Sequence, residues 1–106
     1  MIFKFKVLVR GDNLSRKLNF ETFKYFLECY FNVSADYDEL DKIIKNFNLV
    51  ENMEYRKKLR TELKQILRLE NWDMVQRFVK KYGMRKMNEE KLKWLIQSVL
   101  DNLELN

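Results

Sequence analysis

Apolar and polar side chains alternate over residues 2–10, except that Ile2 and Leu8 dilute the polar face. The apolar positions are Phe3, Phe5, Val7 and Val9, and the positions between and after them include Lys4, Lys6 and Arg10. Because successive side chains of a strand point to opposite faces, this pattern predicts a β-strand over residues 2–10. A lone strand leaves its backbone hydrogen bonds unmade, so it must pair with another segment, a second copy of the chain or a partner.

From residue 19 onward the apolar positions recur at intervals of three and four, which predicts amphipathic helices. Four expected helices cover about residues 20–31, 53–69, 72–82 and 89–103. A further short helix, second in chain order, follows Asp36 and carries Leu40, Ile43, Ile44 and Phe47. Side chains able to cap helix starts precede them: Asn19, Asp36 with Glu39 as a capping box, Asn71 and Asn88. Gly83 is expected to end the fourth helix. The residues expected to be buried together are Leu59, Leu63, Ile66, Phe78, Leu95, Ile96 and Val99.

These elements predict a mainly α fold, a compact bundle of about five helices with one N-terminal β-strand segment. The absence of proline and the presence of only two glycines favour long helices over a β-rich fold. A length of 106 residues corresponds to a single domain over 1–106. Its strand and turn occupy residues 1–18, and its helical bundle occupies residues 19–106.

The residue types that usually carry catalysis or bind metal are scarce. The chain has no histidine and one cysteine, so only carboxylates remain as metal ligands. The acidic run over 36–41 lacks the central glycine of a calcium loop and is better explained as a helix start. Phosphate-binding loops and nucleophile motifs are absent. We therefore expect no enzyme activity, no metal and no cofactor.

The lone cysteine, Cys29, lies in an apolar stretch and is expected to be a buried thiol, with a reactive thiol as the alternative. No signal peptide and no run of apolar residues long enough to span a membrane is apparent. These features favour the reducing cytoplasm, with no membrane association.

Charge is distributed in bands along the chain. Residues 25–55, which we call the acidic band, hold seven acidic and two basic side chains; residues 56–87 hold eleven basic and three acidic ones. The basic residues over 56–86 are compatible with nucleic-acid binding. The alternative is the solvated face of two helices, on which Glu62, Glu70 and Asp73 pair with some of the cations. The sequence contains no nucleic-acid-binding motif that would favour nucleic-acid binding over a solvated face.

Four short motifs in the region 25–104 are similar to those of a known family. They are Tyr30-Phe31 at the end of the first helix, Arg60-Thr61-Glu62-Leu63, Gly83 and Trp94-Leu95. In this order they resemble the immunity proteins of bacterial contact-dependent growth inhibition (CDI) systems. The resemblance implies a small, cytoplasmic, non-enzymatic protein that binds and blocks the C-terminal domain of a cognate toxin, often a nuclease.

A nuclease has a basic substrate cleft, so the acidic band is the expected contact surface for such a toxin. The candidate toxin-binding residues are Tyr37, Asp38, Asp41, Glu51 and Glu54. On a helix, Asp38 and Asp41 share a face, and Tyr37 is of a type enriched at interface hot spots. The alternative is that these carboxylates only solubilise the helix and favour its dipole. The chain is expected to be a monomer or a weak dimer joined through its N-terminal strand.

Overall fold

The computed structural model describes residues 20–105, and they form five α-helices and one short 3₁₀ helix. This confirms the mainly helical bundle. The predicted strand over 2–10, its turn and the capping residue Asn19 lie outside the described residues. The helices are α1 (Glu21–Cys29), α2 (Leu40–Val50), α3 (Met53–Leu69), α4 (Trp72–Gly83) and α5 (Glu89–Asn102), and the 3₁₀ helix Tyr37–Glu39 precedes α2. No helix in this part of the chain is long and apolar enough to cross a membrane.

Asparagine side chains cap three of the helices. The side chain of Asn71 accepts a hydrogen bond from the backbone N–H of Met74, and that of Asn88 accepts one from Lys91, as the sequence predicts. The Asp36 capping box is also present, with the Glu39 carboxylate 3.1 Å from the Asp36 backbone nitrogen. Asn52 caps α3 in the same way as Asn71 and Asn88. Local side chains thus define where four of these elements begin.

The helix α1 begins one residue later than predicted. Phe20 lies before the helix in the left-handed conformation, with φ of 52°, and its own side chain makes no capping hydrogen bond. Instead, the Glu62 carboxylate of α3 accepts hydrogen bonds from the backbone N–H groups of Thr22 (3.1 Å) and Phe23 (2.8 Å). A carboxylate placed there satisfies two free N–H groups and the positive end of the helix dipole.

One continuous core is formed where the helices meet. It comprises Phe20, Phe23, Phe26, Leu27, Phe31, Leu40, Ile44, Phe47, Leu59, Leu63, Ile66, Val75, Val79, Met87, Leu92, Leu95, Ile96, Val99 and Leu103. Six of the seven residues predicted to be buried belong to it. Phe78 is the exception, because it stacks on Phe23 at the edge of the α1–α4 contact and stays half-buried. The prediction of a buried Cys29 is wrong: the thiol is exposed, because the buried stripe of α1 passes through Phe26 and Leu27.

Gly83 is buried for a reason that its position at a helix end does not reveal. It is the last residue of α4 and keeps helical geometry, while the next residue, Met84, adopts the left-handed conformation with φ of 55°. A Cβ atom at Gly83 would lie 3.3 Å from Leu27 Cδ2 and 3.6 Å from the Phe31 carbonyl oxygen. The missing side chain therefore allows α4 to approach α1 closely.

Candidate functional site

The five predicted contact residues fall at opposite ends of α2. Tyr37 and Asp38 lie in the 3₁₀ helix, and Asp41 lies in the first turn of α2. Glu51 follows the last turn of α2, and Glu54 lies in the first turn of α3. Because an α-helix rises 1.5 Å per residue, the eleven residues of α2 separate the two groups by about 16 Å.

At the first end, Tyr37 is half-buried beneath cationic side chains. Its ring lies 5.6 Å from that of Trp94 and 6.1 Å from that of Phe31. The Lys91 ammonium lies 4.9 Å from the Tyr37 ring centroid, and the Arg85 guanidinium lies 5.2 Å from it. Tyr37 is thus part of a cation–π cluster that fixes the ring.

Asp38 and Asp41 are exposed beside this cluster. Neither carboxylate takes part in an ion pair or hydrogen bond with any side chain in residues 20–105. Two unpaired, exposed carboxylates contribute a local negative potential at the start of α2.

At the other end, Glu51 is held by Tyr25 of α1 and by Tyr30, the residue that follows this helix. The hydroxyls of Tyr25 and Tyr30 both donate to Glu51 Oε2, each at 2.6 Å. The hydrogen bond to Glu51 raises the pKa of the Tyr25 hydroxyl above its usual range. Burial, followed by the bond to Glu51, raises the pKa of Tyr30. Both phenols therefore stay protonated near neutral pH and remain hydrogen-bond donors to Glu51.

Glu54 and Tyr55 extend this end of the site along α3. The Tyr55 ring lies 5.5 Å from that of Tyr25, at an interplanar angle of 82°. Lys58 forms an exposed ion pair with Glu54 at 3.7 Å, and its ammonium lies 5.9 Å from the Tyr55 ring centroid. We call the surface formed by these residues the tyrosine–glutamate face. It comprises Tyr25, Tyr30, Tyr55, Glu51 and Glu54.

The sequence prediction included the two glutamates of this face but missed its three tyrosines. For Tyr25 a local signal exists, since Glu21 and Glu28 precede and follow it by four and three residues. These spacings place all three side chains on one helix face, and two acidic neighbours mark that face as polar. For Tyr30 and Tyr55 no comparable signal is present.

A cleft opens beside the tyrosine–glutamate face, between α1 and α3. It is lined by Glu21, Thr22, Tyr25, Tyr55, Lys58 and Glu62. Its walls combine aromatic rings with carboxylates, a composition that favours cationic groups over anionic ones. Among residues 20–105, no three Cys, Asp or Glu side chains are grouped so that they could hold a metal ion.

Several cations of the basic region 56–86 are engaged within the fold. Arg56 Nη1 donates to the Glu104 carbonyl at 2.6 Å, and Arg77 pairs with Asp73 at 2.5 Å, as expected for a solvated helix face. The Arg85 guanidinium donates to the carbonyls of Asn32 and Ala35 and lies 4.1 Å from the Phe31 ring centroid. Arg56 and Arg85 therefore connect different segments of the bundle, whereas the exposed Arg77–Asp73 pair lies within α4 alone.

The motifs that resembled a known family have distinct positions in this structure. Glu62 caps α1, Gly83 permits the α1–α4 contact, and Trp94 lies against Tyr37. A family model described as CdiI immunity protein matches residues 19–102, which include all of these positions. Searches of curated proteins and of solved structures give no match.

Proposed function

The chain belongs to the CdiI immunity protein family, and from this membership we propose that it protects its own cell by binding and neutralising a cognate CDI toxin. The family match over residues 19–102 is the observation that carries the proposal. The partner is the C-terminal toxin domain, bound in the cytoplasm by direct protein–protein contact. The protein acts by occupying the toxin and performs no reaction of its own.

The toxin that best fits the charge of this surface is a nuclease. A nuclease binds a polyanion, so its substrate cleft must be basic. The acidic band, with seven acidic against two basic side chains over 25–55, is the complement of such a cleft. Opposite charges speed the encounter of the two proteins, and the bound carboxylates repel incoming nucleic acid.

Tyr37, Asp38, Asp41, Glu51 and Glu54 are the proposed contact residues. The exposure of Asp38 and Asp41, and their lack of partners within residues 20–105, support their part in this set. Tyr37 contributes through the edge of its half-buried ring. Glu51 and Glu54 contribute through the tyrosine–glutamate face at the far end of α2.

Replacing Asp38 and Asp41 together with Lys is expected to weaken toxin binding about tenfold at low salt. The loss should shrink at high salt, because ions screen exposed charges. The measurement is the affinity for the C-terminal domain of the cognate toxin, at two salt concentrations, together with survival of cells that produce this toxin.

The matched control reverses Glu89 and Glu90, which are also exposed first-turn carboxylates, but of α5. This control removes equal charge and a similar helix-dipole interaction outside the acidic band, so its affinity should stay close to that of the wild type. Circular dichroism establishes that both double variants are folded. Full protection and unchanged affinity with the Asp38 and Asp41 variant would place the contact surface elsewhere.

A further inference from the structure

We propose that the cleft between α1 and α3 binds an arginine or lysine side chain of the toxin, against the rings of Tyr25 and Tyr55 and near the Glu51 carboxylate, which accepts a hydrogen bond from the Tyr25 hydroxyl. The inference rests on the proposed function and identifies the chemistry by which the partner is recognised. It also assigns the larger share of recognition to the tyrosine–glutamate face, rather than to the start of α2.

The two aromatic rings provide the first part of this cation site. Tyr25 and Tyr55 both line the cleft, and their rings meet nearly at right angles with centroids 5.5 Å apart. A cation near a tyrosine ring is attracted by the negative charge of the ring face, and this attraction grows when water is displaced. Two rings at this angle form a corner that a flat guanidinium can enter and stack against.

The chain's own Lys58 already places an ammonium near one of the two rings. Its ammonium lies 5.9 Å from the Tyr55 ring centroid and 3.7 Å from Glu54 Oε2. The Lys58 side chain remains 57% exposed, so this contact is weak and easily displaced. An arginine from a partner would bring a planar group with five N–H donors, which suits stacking and carboxylate binding better than an ammonium does.

Glu51 provides the second part of the site. Both tyrosine hydroxyls bond to Oε2, and Oε1 has no hydrogen-bond partner within residues 20–105. The two hydrogen bonds from the tyrosine hydroxyls fix the Glu51 carboxylate next to Tyr25, so the side chain loses little conformational entropy when it binds a donor. A charged donor to this oxygen makes a stronger hydrogen bond than a neutral one.

The charge around the cleft restricts the occupant to a cation. Glu28 shares the face of α1 that carries Tyr25, and Glu54 precedes Tyr55 in the first turn of α3. Among residues 20–105, the cation that lines the cleft is Lys58, and it is paired with Glu54. An anionic segment or nucleic acid would be repelled here, whereas the basic surface of a nuclease is attracted.

The test measures the affinity for the cognate toxin domain with two substitutions, Tyr55→Leu and Glu51→Gln. Tyr55→Leu keeps apolar bulk at a partly exposed position, and Glu51→Gln keeps an oxygen for the tyrosine hydroxyls but removes the charge. Each should weaken binding about tenfold. The affinity loss of the double variant should be smaller than the product of the two single losses, because both substitutions remove contacts to the same toxin side chain. Tyr82→Leu and Glu90→Gln, placed outside the cleft, should change affinity by no more than about twofold.

A second measurement uses L-argininamide as the probe, with norleucinamide, which has the same backbone but an uncharged side chain, as the control, and follows the NMR spectrum of the chain. Argininamide should shift the signals of Tyr25, Glu51 and Tyr55 in the wild type and have a much smaller effect on Glu51→Gln. No shift, or an equal shift in Glu51→Gln, overturns the inference.

The two proposals fail in different ways. A toxin domain that does not bind the wild-type chain overturns the proposed function, and argininamide still decides whether the cleft binds cations. A toxin that binds the wild type, Tyr55→Leu and Glu51→Gln equally well overturns the inference and leaves the function standing.

Discussion

Truncation of Leu95 to Ala is expected to lower the free energy of unfolding by about 2–5 kcal/mol, as is typical for a large-to-small change in a packed core. Leu95 is fully buried in α5, the helix that contacts α2, α3 and α4. Removal of three carbon atoms from this position leaves a cavity that three neighbouring helices cannot fill together. Urea unfolding followed by circular dichroism measures the loss as a lower midpoint with an unchanged slope.

Gln97→Ala is the control for Leu95→Ala, because Gln97 lies on the exposed face of the same helix. It should change the free energy of unfolding by less than about 0.5 kcal/mol. A loss below about 1 kcal/mol for Leu95→Ala would mean that α5 is not packed as the structure describes.

Replacement of Glu62 with Ala is expected to cost about 3 kcal/mol, since hydrogen bonds to a charged group are worth more than neutral ones and two backbone donors lose their partner. The N–H groups of Thr22 and Phe23 would be left in a partly buried position without an acceptor. The helix α1 should fray at its start, and the midpoint of unfolding should fall.

Two variants show whether the position or the charge of Glu62 matters. Glu62→Gln retains one acceptor oxygen and should recover part of the loss. Glu54→Ala removes an exposed glutamate from the same helix and should be nearly neutral. If Glu62→Ala is as stable as Glu54→Ala, the carboxylate does not stabilise α1.

Local chemistry is what made the helices predictable from the sequence. An asparagine or aspartate cap acts on backbone groups two or three residues away, so Asp36, Asn71 and Asn88 were identified without knowledge of the fold. The buried residues of α3 and α5 were predicted in the same way, because apolar residues spaced three and four apart lie on one face of a helix.

Long-range contacts account for the differences between prediction and structure. Glu62 was interpreted as an ion-pair partner on α3, but its hydrogen-bond partners lie about forty residues earlier in the chain. Gly83 was identified as a helix end, and the approach of Leu27 that requires a glycine was not visible. Spacing along one helix carries no information about which other helix lies opposite.

In the candidate site, too, some features follow from the sequence and others depend on long-range contacts. The acidic band is a property of composition, so its carboxylates were found from the sequence. The pairing of Glu51 with Tyr25 and Tyr30 joins residues more than twenty positions apart, and only the packing of α1 against the end of α2 creates it. The tyrosine–glutamate face therefore exists only in the folded protein, because packing brings together residues that are distant in the sequence.

The position of Arg85 has a consequence for how the bundle opens. This side chain belongs to the connection between α4 and α5, and its bonds to the Asn32 and Ala35 carbonyls join it to the connection between α1 and α2. Neither connection can separate from the bundle without breaking contacts in the other. The two loops thus behave as one cooperative unit of local unfolding, and a single opening event governs the hydrogen exchange of amides in both.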